Sequence, residues 1–176
     1  MGLFLALFLS CFSGDQPLIL KVNDMAVIDT FALGPPVQKA TWRESPNIRV
    51  CAATQVKMHR AQKALRYWEM LGYEFGSARI DEDIGCMHPR YGEIIITLPE
   101  GNIDNEHMAA TRIYTEKITG NIAKAKIFIY PKYAQKDRVI EHELGHALGW
   151  QHHKQKFHIM HPNWQLGGYN NAGLRR

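Results

Sequence analysis

The sequence predicts an α+β domain with the element order β-α-β-β-β-β-α, and three observations predict it. Gln55–Leu71 places Val56, Ala61, Ala64, Leu65, Trp68 and Leu71 near one face at helical spacing. Glu93–Leu98 is a compact apolar run, the pattern of a strand buried on both faces. Lys124–Tyr130 alternates, with Ala125, Ile127 and Ile129 on one side and Lys124, Lys126 and Phe128 on the other.

Taken in order, the chain starts with an apolar stretch from Leu3 to Phe12. It is too short to span a bilayer but fits the core of a signal segment, so residues 1–13 are expected to direct export to a secreted or periplasmic location. Leu9-Ser10-Cys11 offers the alternative of a lipid anchor through Cys11. Residues 14–46 carry a Gly34-Pro35-Pro36 break and read as a leader or pro-segment, with a short strand at Leu18–Val22. Residues 47–176 then form the main domain. Asn47–Ala53 is its first strand. Gly72 can end the helix that follows, because glycine accepts the left-handed turn there. Glu74–Ile80 alternates loosely as a further strand. Met108–Tyr114, with Thr, Arg and Tyr interleaved, has the look of an edge strand. Pro131 stops the Lys124–Tyr130 strand, Asp137 can cap a last helix running to about Leu148, and the Gly/Asn-rich chain after Pro162 carries no helical pattern.

Composition narrows the function. At 176 residues the chain makes one domain with a real core. Its net charge of +4 is mild, and Lys and Arg are dispersed apart from Arg175-Arg176, which describes a solvated surface. No nucleic-acid partner and no stable membrane span are expected, and a monomer is. There are three cysteines. With Cys11 removed or lipidated, Cys51 and Cys86 remain as a disulfide pair or as two buried thiols.

The chemistry is concentrated in His142-Glu143-Leu144-Gly145-His146-Ala147-Leu148-Gly149-Trp150-Gln151-His152, of the form H-E-x-x-H-x-x-G-x-x-H. His142 and His146 are four apart, so a helix stacks them on one face, where they can chelate one zinc ion. Gly149 can reverse the backbone and return His152 as a third nitrogen ligand. Three protein ligands leave a fourth position open, which separates catalytic from structural zinc. Glu143 projects beside the ligands, as a general base must. His153 and His158 are the neighbours that could replace His152. Met160 follows eight residues after His152 and can give the imidazoles an apolar floor.

With this helix and the His158-Ile159-Met160-His161-Pro162 turn behind it, the sequence resembles the metzincin zinc metallopeptidases, most of all the matrixins. Pro162 stands where astacin-like and serralysin-like members have a tyrosine. The resemblance implies a twisted mixed sheet, a backing helix, an active-site helix and a short C-terminal subdomain. It implies one catalytic Zn2+, held by His142, His146 and His152, and hydrolysis of protein or peptide substrates with Glu143 as the base. It also implies that extended substrate pairs with the strand containing Met108, Ala109, Ala110 and Thr111, and it places a side-chain pocket between the motif helix and Pro162–Gly167, where Trp164 either lines or closes the pocket or is simply a core residue. Matrixins carry Ca2+ and a second zinc in a long loop. The matching segment Pro99–His107 is short, and its Asp104, Glu106 and His107 read as a polar loop without support for Ca2+.

Two other readings stay open: a zinc amidase of cell-wall peptides, and a zinc-binding partner protein without turnover. Phe12-Ser13-Gly14-Asp15 resembles the aspartate switch of astacin-like pro-segments, which makes Asp15 a candidate zinc-blocking residue, with Asp24 and Asp29 behind it.

Overall fold

The computed structural model describes residues 18–21, 34–83, 85–100 and 107–176. Among these, six strands form one mixed sheet: β1 (Leu18–Lys21), β2 (Asn47–Cys51), β3 (Ala78–Asp81), β4 (Glu93–Thr97), β5 (His107–Thr115) and β6 (Ile122–Ile129). Their spatial order is β1-β5-β6-β4-β2-β3. β3, β2, β4 and β6 run parallel, and β5 and β1 are antiparallel additions. Two helices, α1 (Met58–Glu69) and α2 (Val139–Ala147), complete the α+β domain. No described helix is long and apolar enough to cross a membrane.

Parallel strands covered on both sides explain the apolar runs. Every residue of β4 is buried. Ile94 and Ile96 join the main core, while Ile95 packs with Cys51 and Cys86 in a small cluster on the other face. Cys51 and Cys86 are disulfide-bonded, with Cα atoms 5.6 Å apart. The lysine face of β6 is not a solvent face either. Lys126 is buried, its ammonium 5.1 Å from the Phe128 ring centroid and paired with Glu100.

α1 turns Ala61, Ala64, Leu65 and Trp68 inward, as its spacing predicts. It ends where Gly72 takes φ 94° and Tyr73 N–H returns to Trp68 O. Against α2 it makes a buried ion pair. Arg60 Nη1 and Nη2 lie 3.0 and 2.5 Å from the Glu141 carboxylate, and Trp68 Nε1 donates to Glu141 O at 2.8 Å.

The structure corrects three expectations. The strand at Met108–Tyr114 is not an edge: β1 pairs with its outer side, Leu18 opposite Thr111 and Ile19 opposite Ala110, while β6 takes the other. A strand with unpaired N–H and C=O groups accepts any suitable segment, and here residues 18–21 of the same chain supply it. Asp137 does not cap α2. Its carboxylate pairs with Lys63 at 2.9 Å, and the cap residue is Arg138, at φ 69° with no side-chain cap bond. The strand expected at Glu74–Ile80 begins only at Ala78, because Gly76 N–H bonds Pro46 O and Ser77 N–H bonds Asn47 Oδ1 in the turn before it.

Residues 37–42, read as part of the leader, pack into the domain. Lys39 N–H bonds Gly149 O and Gln151 N–H bonds Val37 O, both at 2.9 Å. Gln38 Nε2 and Trp42 Nε1 donate to Leu148 O and Ala147 O at 2.8 Å. Those carbonyls end α2 and have no helical partner of their own, so this segment acts as the C-terminal cap of the motif helix.

Candidate metal centre

All nine residues of α2 are buried, so the motif helix is an interior element. His142 and His146 stack one turn apart with ring centroids separated by 4.6 Å. The helix then closes with Gly149 N–H on His146 O and Trp150 N–H on Gly145 O. Gly149 takes φ 95°, and a Cβ there would lie 1.9 Å from Ala40 O. Only glycine meets both demands. The reversal brings the His152 ring to 4.6 Å from His146 and 5.3 Å from His142. One ligand atom from each of the three lies within 4.8 Å of the others. His153 instead meets His158 edge to face, with ring centroids 4.6 Å apart, and its backbone N–H bonds Met160 O. His152 is therefore the third member of the cluster.

The proton positions follow from the partners. His142 Nδ1 is 2.7 Å from Ile159 O, and His146 Nδ1 is 2.7 Å from Trp150 O. A carbonyl only accepts, so both Nδ1 atoms carry the hydrogen. Burial pushes the His142 pKa down to about 3 and that of His146 well below 6.5, so each ring is neutral with one proton. Their Nε2 atoms then face each other as bare lone pairs 3.0 Å apart. His152 Nε2 is also buried without a partner, and burial lowers that pKa to about 4. Converging lone pairs in a dry site repel unless a cation accepts them. The three histidines could thus hold a metal ion, with Ile159 O and Trp150 O orienting two of them.

Glu143 is fully buried beside them. Its Oε2 accepts the Thr111 hydroxyl at 2.5 Å, and its Oε1 has no partner. Burial raises its pKa to about 8, with the Thr111 bond pulling the other way. A buried acid with one satisfied and one open oxygen is equipped to exchange a proton. Met160 is fully buried where a Cβ on Gly145 would fall 2.3 Å from its Sδ, so it packs against the helix between the first two histidines.

The remaining sequence candidates divide. Met108 and Ala109 belong to the main core, and Ala110 and Thr111 are buried in the same strand. Ala109, Ala110 and Thr111 are also paired through their backbone with β1 on one side and β6 on the other, so a peptide could dock there only in place of β1. Trp164 is half-buried and donates Nε1–H to Asp137 O at 3.0 Å. With Arg138, His142, Ile159, His161 and Gly167 it lines a small recess that opens to solvent. Cys11, Asp15, Asp24, Asp29, Asp104 and Glu106 lie outside the described residues, and His107 opens β5 with both ring nitrogens buried and unpartnered.

Sequence reasoning missed the Arg60–Glu141 pair, the Thr111–Glu143 bond and Arg138. Glu141 carried a usable signal. An acid inside a helix with no solvent face needs a buried cation. No protein-family model matches the chain, and no curated protein matches it.

Proposed function

We propose that the chain is a zinc-dependent endopeptidase with a metzincin-like site, nearest the matrixins in its motif pattern. The observation that carries this reading is the pairing of two features. Three imidazole lone pairs converge on one point, and a buried carboxylate with one open oxygen lies beside them. Neutral nitrogen donors suit zinc, and a three-histidine set leaves room for a further ligand. When bound, zinc supplies Lewis-acid polarisation of the scissile carbonyl.

The chain's own residues do the rest. Glu143 Oε1 takes a proton from the attacking water and returns it to the departing amine. Thr111 holds Oε2 and leaves Oε1 to do this. Ile159 O and Trp150 O keep the His142 and His146 Nε2 lone pairs turned toward the ion. The Cys51–Cys86 disulfide supports an exported location. A monomer and a protein or peptide substrate complete the proposal.

The test is Glu143→Ala. It should keep one zinc per chain and lose about a hundredfold or more of peptidase activity. Activity within about tenfold of the parent would sink the general-base assignment. Hydrolysis confined to isolated cell-wall peptides would replace endopeptidase with amidase. Tight zinc binding with no hydrolysis of either substrate would leave a binding protein.

A further inference from the structure

Arg138 caps the start of α2, and the His142 N–H bonds its carbonyl at 2.9 Å. They share the recess that Ile159, His161, Trp164 and Gly167 complete. The absence of a side chain at Gly167 makes room for the guanidinium: a Cβ there would lie 3.1 Å from Arg138 Nη1. The guanidinium carbon lies over the Trp164 ring, 4.4 Å from its centroid. Among the described residues no carboxylate pairs with it. The two acids nearest in sequence are committed elsewhere, Asp137 to Lys63 and Glu141 to Arg60. Lys136 lies outside the recess but against the same Trp164 ring, 3.9 Å from its centroid, and the N-terminus of α2 adds its partial positive charge beside Arg138. The recess thus has one wall in the metal centre and a surplus of positive charge on another. Arg138 also holds a left-handed backbone that arginine adopts at a cost, which aims its side chain across the helix start.

We propose that Arg138 is a specificity residue of the proposed peptidase site and selects a carboxylate on the residue flanking the scissile bond. The preferred substrates carry Asp or Glu at that position. The inference rests on the peptidase reading, because it takes the histidine cluster as the point of cleavage. The recess opens to solvent, and the planar guanidinium on its wall offers paired N–H donors to a carboxylate that reaches its mouth.

The experiment uses the full chain, zinc-loaded, with Glu143→Ala to stop turnover. Affinities are measured by calorimetry for acetylated, amidated peptides that differ only by Asp or Asn on either side of the central bond. The Asp peptide should bind about tenfold more tightly at one of the two positions, and the gap should close in high salt. Arg138→Gln should abolish the gap, and Arg138→Glu should shift preference to Lys, with zinc content and melting temperature confirming that both variants fold. A Leu peptide with a free C-terminal carboxylate separates an acidic side chain from a chain end as the source. Equal affinity of the Arg138-containing protein for the Asp and Asn peptides overturns the proposal, whatever the variants do. Hydrolysis by the Glu143-containing protein without acidic preference sinks the selectivity and leaves the peptidase reading. Acidic preference in binding without hydrolysis does the reverse.

Discussion

The Thr111 hydroxyl on β5 donates to Glu143 Oε2 on α2 at 2.5 Å, and both side chains are fully buried. One strand residue therefore sets which carboxylate oxygen is free. Thr111→Val keeps the shape and removes the donor. It should lower kcat by about tenfold to a hundredfold, the weight of a hydrogen bond to a charged group. KM and zinc content should change little. Thr111→Ser should restore most of the rate. If Thr111→Val matches the parent in kcat, the hydroxyl does not position the base.

β1 lies along the side of β5 that the metzincin resemblance implies for substrate, in antiparallel register from Leu18–Thr111 to Lys21–His107. A peptide can add to that side only when β1 leaves. A form starting at Gly34 retains the segment that caps α2 and lacks β1. It should cleave a denatured protein several-fold faster than the full chain at equal zinc loading. Equal rates would mean that substrate does not use this strand edge.

Removing the metal should make stability depend on acid. His142, His152 and His158 have pKa values lowered to about 3, 4 and 4, and that of His146 lies well below 6.5, chiefly through burial. An unfolded chain binds protons at these rings near pH 6.5, and the folded chain does not. Their contribution is intact above 6.5 and falls away as pH drops toward 4. Glu143 has the opposite sign. With its pKa raised to about 8, its contribution is complete below the unfolded value of 4.5 and lost as pH rises through 8. The melting temperature of chelator-stripped protein should fall steadily from pH 6.5 to 4.5. A flat profile across that window would contradict neutral buried imidazoles.

Gly149→Ala should cost more than about 2 kcal/mol, since it combines a left-handed backbone with a collision against a backbone oxygen. It should also weaken zinc binding, because the turn carries His152. Gly34 has open space around it and no positive φ, so Gly34→Ala should be close to neutral. Denaturant titrations of the two variants give the comparison, and equal midpoints would refute the account of the turn.

Elements with a repeating physical signature were legible in the residues alone. Hydrophobic spacing located α1, β4 and β6, since burial of one face or two leaves a period of 3.6, 2 or a solid apolar run, while α2 was located by its histidine motif. The motif spacing also picked His142, His146 and His152 as a cluster, because four residues make one helical turn and glycine permits the reversal at Gly149. Local pattern carries no record of partners far along the chain. Whether β5 was an edge depended on residues 18–21, roughly ninety positions earlier. Asp137 was a sound local cap until Lys63 on α1 claimed it. The Thr111–Glu143 bond, the contact of Arg138 with Trp164 and the capping of α2 by Gln38 and Trp42 likewise join segments that meet only when sheet and helices pack. Tertiary structure decided these because a buried polar group takes the nearest partner in space, and that partner leaves no periodic trace in the sequence.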